Sequence, residues 1–87
     1  MQGNSSIFSN NYRILELMYD NQITINDLTY TPMTQDDIAT ALNCERMTIN
    51  SLFKKLKEEN LIEKTPTKRQ YRLTKEAIRI VKAIKRI

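Results

Sequence analysis

Residues 34–64 read TQDDIATALNCERMTINSLFKKLKEENLIEK, and the organisation of the chain follows outward from them. Thr34 has the character of a helix N-cap, with Asp37 three residues on. That is close to a capping box, whose strict form has Glu or Gln at the later position. Asp36 and Asp37 fall in the first turn, where the helix dipole favours negative charge. Ile38, Ala39 and Leu42 recur at helical spacing, so a short helix is predicted from about Gln35 to Leu42. Asn43 then stands where a sharply turning chain places a left-handed residue, Gly by preference and Asn next. The only glycine is Gly3, so Asn43 takes that role. A second helix is predicted from Glu45 or Arg46 to about Glu59, with Ile49, Leu52, Phe53 and Leu56 as its apolar stripe. Asn60 repeats the stop.

Beyond Asn60, LIEKT (61–65) reads as a strand, TPTKR (65–69) as a turn containing Pro66, and RQYRLT (69–74) as a returning strand with Tyr71 and Leu73 on one face. Thr74 caps a last helix, KEAIRIVKAIKRI (75–87). Its expected buried stripe is Ala77, Ile80, Val81, Ile84 and Ile87, against Arg79, Lys82, Lys85 and Arg86. Before the central stretch, Ser9 can cap a helix running to roughly Asp20 that buries Ile14, Leu15, Met18 and Tyr19. QITINDLTYTPM (22–33) alternates at Ile23 and Ile25 and reads as a strand or extended connection, with Pro32 barring a helix there.

This order predicts a mainly α chain with a small β-hairpin (α+β): about four helices and a two- or three-stranded wing sheet. Residues 1–87 are expected to form one domain, with a helix-turn-helix at 34–60, a wing at 61–73 and a C-terminal helix at 74–87. The composition, 40% hydrophobic and 28% charged over 87 residues, is that of a globular protein and not a disordered one. No apolar run is long enough to cross a membrane, and the N-terminus lacks a signal pattern. A cytoplasmic protein is expected, and the single Cys44 agrees with a reducing compartment.

The net charge of +4 conceals a segregation. Residues 1–43 hold one basic residue against five acids, for −4, and residues 44–87 hold thirteen against five, for +8. Such segregation points to a polyanion, nucleic acid or an anionic membrane surface, although a solvated basic face would look the same. Catalysis finds little support. The chain has no His and no glycine-rich phosphate loop, and it has no second Cys for a metal site. Asp36 and Asp37 are adjacent, so a helix points them about 100° apart. No enzyme activity, cofactor, metal or small-molecule ligand is expected.

As an ordered set, Ile38-Ala39, Leu42, Thr48-Ile49, Leu56, Leu61-Ile62 and Leu73-Thr74 resemble the winged helix-turn-helix core of bacterial transcriptional regulators of the MarR group. The resemblance spans roughly residues 34 to 77. It implies a DNA-binding regulator. Both family glycines are Asn here (Asn43 and Asn60). Glu45 stands where such a second helix usually opens with Ser or Thr, and its carboxylate would repel a nearby phosphate. The family places a small apolar residue at the Cys44 position, so this thiol is read as a small hydrophobe. A redox-sensing role, known among such relatives, is the weaker alternative.

In a helix-turn-helix the second helix lies in the major groove, its N-terminal half reaching base edges. With Ile49, Leu52, Phe53 and Leu56 facing inward, the expected reading face carries Arg46, Met47, Thr48, Asn50, Ser51, Lys54 and Lys55. Arg46 suits guanine and Asn50 adenine, while Met47 suits a thymine methyl. Thr48 and Ser51 suit bases or phosphates, and Lys54 and Lys55 suit phosphates. Lys64, Lys68, Arg69 and Arg72, on or beside the wing, would follow the backbone or enter the minor groove. The expected partner is double-stranded DNA. The apolar stripe of the last helix is expected to complete the core or to pair with a second copy in a homodimer, rather than to lie on a membrane. A plasmid or phage replication or copy-control protein would use the same parts. A protein–protein adaptor on a winged-helix scaffold is the rival from another class, and it would expose apolar residues on the reading face.

Overall fold

The computed structural model describes residues 9–66 and 70–86. Its elements run α1 (Asn10–Asp20), β1 (Ile23–Ile25), β2 (Leu28–Tyr30), α2 (Gln35–Leu42), α3 (Arg46–Glu58), β3 (Ile62–Lys64), β4 (Tyr71–Leu73) and α4 (Lys75–Lys85). The capping chemistry read from the sequence sets these boundaries. Ser9, Thr34 and Thr74 each accept from a backbone N–H three residues on, and Thr34 with Asp37 closes a reciprocal capping box.

The two asparagine stops share one geometry. Asn43 and Asn60 are both left-handed, at φ 57° and 61°. After α2, the Cys44 N–H donates to Ala39 O and the Asn43 N–H to Thr40 O; after α3, the Leu61 N–H donates to Leu56 O and the Asn60 N–H to Lys57 O. Each pair is a Schellman closure, which satisfies the last carbonyls while reversing the chain. The first closure makes the turn between α2 and α3, and the second sends the chain into the wing.

The core gathers Ile14, Leu15 and Met18 of α1, Ile38 and Leu42 of α2, Ile49, Phe53 and Leu56 of α3, Ile62 and Leu73 of the wing, and Ala77 and Val81 of α4. Tyr12 joins it, whereas Tyr19 and Leu52 are only half-buried. One expectation is corrected. Ile80 is exposed, and Ile78 packs against the core instead. The Lys85 ammonium reaches Glu16 and Asp20 of α1 at 3.3 and 3.4 Å. Lys85 stands seven residues after Ile78, on the same flank of α4, so the flank turned to α1 carries Ile78. Ile80, about 100° round from Val81, faces out. Ile87 lies outside the described residues.

Residues 22–33 form a hairpin rather than a single strand. β1 and β2 pair antiparallel with Ile25 opposite Leu28, around Asn26 and Asp27, both at positive φ. This is the two-residue turn whose twist suits a hairpin. β3 and β4 pair with Ile62 opposite Leu73, Glu63 opposite Arg72 and Lys64 opposite Tyr71. Thr31 joins the two hairpins. Its N–H donates to Tyr71 O at 2.9 Å, and its buried hydroxyl donates to Met18 O at 2.7 Å near the end of α1. Thr31 thus adds a short third rung to the wing sheet, within the expected two or three strands.

Candidate nucleic-acid interface

α3 is placed by its inner stripe, so its outer face is fixed by subtraction. Arg46, Met47, Thr48, Asn50, Ser51, Lys54 and Lys55 are all exposed, as the sequence reading required. Met47, at 78% exposure, is the only large apolar side chain exposed on this helix. Glu45 is the N-cap residue but makes no side-chain capping bond, so its carboxylate adds charge at the helix entry without closing it. Arg46 is held by Asp36 of α2, with Nη1 at 3.3 Å from Oδ1. Both partners are well exposed, and such a pair contributes about 0–1 kcal/mol. Arg46 can therefore exchange Asp36 for a base edge at little cost.

The wing stands beside this face. Lys64 ends β3, exposed, and Arg72 on β4 donates from Nε to Glu63 at 2.8 Å, its direct cross-strand neighbour. Arg72 is thus tied into the sheet rather than freely presented. Lys68 and Arg69, expected at the tip, lie outside the described residues. The base of that loop is closed by Thr65, whose N–H donates to Gln70 O at 2.7 Å and whose hydroxyl accepts from the Gln70 N–H at 3.2 Å.

Sequence reasoning missed the residues between helix and wing. Tyr71 sets its ring edge-on to Phe53, centroids 4.8 Å apart, and its hydroxyl accepts from Gln35 Nε2 at 3.4 Å. Gln35, Arg46, Gln70 and Tyr71, with Met33 and Thr34, line a shallow groove of 260 Å³ between the start of α2, α3 and the wing. Lys57 lies over the same ring. The signal for Lys57 was its position four residues after Phe53, which sets it on the flank turned to the wing. The signal for Tyr71 was only its register opposite Lys64.

Cys44 is half-buried, packs against the core and donates its thiol to Leu42 O at 3.5 Å, as a small hydrophobe does. Among the described residues there is no group of three or more His, Cys, Asp or Glu side chains able to hold a metal ion. No helix among them is long and apolar enough to cross a membrane.

Two adjoining helices with a left-handed asparagine turn, followed by a hairpin that abuts the second helix, define a winged helix-turn-helix. The chain belongs to the Crp-like helix-turn-helix domain family, whose pattern matches residues 12–77. Two solved structures of a winged-helix regulator of the MarR family, MepR of S. aureus, are similar to it. A MepR point mutant from a multidrug-resistant clinical isolate is 25% identical, with a TM-score of 0.69 over 91% of this chain and 55% of that one. The MepR–DNA complex is 24% identical, with a TM-score of 0.71 over 98% of this chain and 67% of that one. This chain spans about half the length of the first. No curated protein matches it in sequence.

Proposed function

We propose that the protein is a sequence-specific double-stranded DNA-binding transcriptional regulator, with α3 reading the major groove and the β3–β4 wing following the backbone. One observation carries this reading. An exposed α3 face of short polar and cationic side chains, Arg46, Thr48, Asn50, Ser51, Lys54 and Lys55, stands beside a wing that presents Lys64. The similar MepR structure with DNA supports it as an analogy of fold. The adaptor alternative requires an apolar reading face, and Met47 is the only large apolar side chain there.

In this reading residues 1–87 act as one winged unit in the cytoplasm. The protein performs no catalytic step and needs no small-molecule ligand or cofactor. It works as a homodimer on paired half-sites, and the outward flank of α4 at Ile80, beside half-buried Ile84, supplies an apolar surface for the second copy. Lys68 and Arg69, between β3 and β4 in the sequence, are proposed as further phosphate contacts.

The test is selection of preferred duplexes from a random library, repeated with Arg46→Ala and Asn50→Ala. Each variant should lose about 1–3 kcal/mol of discrimination at one base position. Lys54→Ala should instead weaken all duplexes alike. A wild type that binds no duplex even at low salt would end the DNA reading.

A further inference from the structure

The notch between α3 and the wing brings Lys64, already assigned to the wing, together with Lys57 and Tyr71, which have no assigned role. Lys57, near the end of α3, and Lys64, at the end of β3, carry their ammonium groups to 5.8 and 5.7 Å from the centroid of one ring, Tyr71. That ring is itself fixed, edge-on to Phe53 and within reach of Gln35. The ion pairs of the described residues lie elsewhere: Arg46 with Asp36, Arg72 with Glu63, Arg79 with Glu76, and Lys85 with Glu16 and Asp20. Two like charges are therefore drawn to one aromatic ring with no carboxylate among the described residues paired to either. The ring's negative face offsets part of their repulsion. Anionic phosphates beside them would offset more.

We infer that Lys57 and Lys64, positioned by Tyr71, form a seat for the phosphodiester backbone of bound DNA. The inference rests on the DNA reading above and adds to it a contact from the C-terminal half of α3. That half of a recognition helix rises out of the groove, where backbone phosphates rather than base edges are within reach. The adjoining groove at Gln35, Arg46 and Gln70 lets the strand continue towards the base-reading end of the helix.

The experiment is fluorescence anisotropy on an AT-rich duplex across a salt series. It compares wild type, Lys57→Gln/Lys64→Gln, Lys57→Arg/Lys64→Arg, and Lys75→Gln/Lys82→Gln. The last removes the same charge from exposed positions on α4. The seat predicts that the first double variant flattens the log–log salt dependence by up to about 2 units, that the arginine variant restores it, and that the α4 variant leaves it unchanged. Equal flattening by the α4 variant would overturn the seat, because bulk charge would then explain the effect. An unchanged slope for Lys57→Gln/Lys64→Gln beside a steep wild-type slope would overturn the seat and leave the DNA reading standing. No wild-type binding at low salt would remove both.

Discussion

The two hairpins are the same size and opposite in character. Each pairs two three-residue strands. β3–β4 sends Ile62 and Leu73 into the core and braces Tyr71 on Phe53. β1–β2 leaves Ile23 and Ile25 at 40% and 43% exposure, and its strands carry no charge. Strand pairing alone is marginal in water. The wing is therefore held by burial on both strands, whereas in the other hairpin only β2 is anchored, by Tyr30 at 6% exposure and the adjoining Thr31. Side chains in the wing should carry stability, while those in β1 should carry little.

The strongest attempt to break this contrast is Phe53→Ala, which removes the contact shared by α3 and the wing. A loss of about 3–5 kcal/mol is expected by chemical denaturation. Ile62→Ala should follow at about 2–5 kcal/mol, whereas Ile25→Thr should stay within about 0.5 kcal/mol. An equal cost at Ile62 and Ile25 would sink the comparison. Asn43→Ala and Asn60→Ala, which force a Cβ-bearing residue without a local side-chain bond into the left-handed region, should each cost about 1–2 kcal/mol. The Gly variants at these positions should not. Asp27→Gly, at the second left-handed position of the β1–β2 turn, relieves the Cβ strain there and should stabilise by up to about 1 kcal/mol.

The smallest effect is electrostatic. Hydrogen bonds to Glu16 and Asp20 outweigh desolvation and hold the Lys85 ammonium above its ordinary 10.5. A cation raised in the folded state contributes stability that is present below its unfolded pKa and lost as pH rises through the folded one. Burial first, then Glu16, also raises the Tyr12 phenol above 10.0, so both groups favour unfolding at alkaline pH. Thermal melts above about pH 10 should therefore decline less steeply in Lys85→Gln than in wild type. The Tyr12 part of the decline should remain.

What the sequence made legible follows from how local each signal is. Thr34, Asn43, Asn60 and Thr74 act within four or five residues of themselves, so both helices of the helix-turn-helix and their ends could be read directly. The exposed face of α3 followed from its own period. The β1–β2 hairpin also had a local signal, since Asn26-Asp27 separates two β-prone triplets, but the pair is a weaker turn mark than Asn-Gly. Ile80 was misplaced because the isoleucines of α4 allow two overlapping stripes. The choice between them goes with Lys85 and a helix 69 residues away in sequence. The flank of Lys57 was legible from its spacing to Phe53, but its meeting with Tyr71 was not, because that depends on how the wing folds back on α3.

Thr31 gives the wing a built-in clock. Its amide proton is donated to Tyr71 O, its hydroxyl holds the end of α1, and the residue is 1% exposed. That proton can reach solvent only when the Thr31–Tyr71 bond opens, that is, when the two hairpins part. Its deuterium exchange rate therefore times the parting of the wing from the first hairpin.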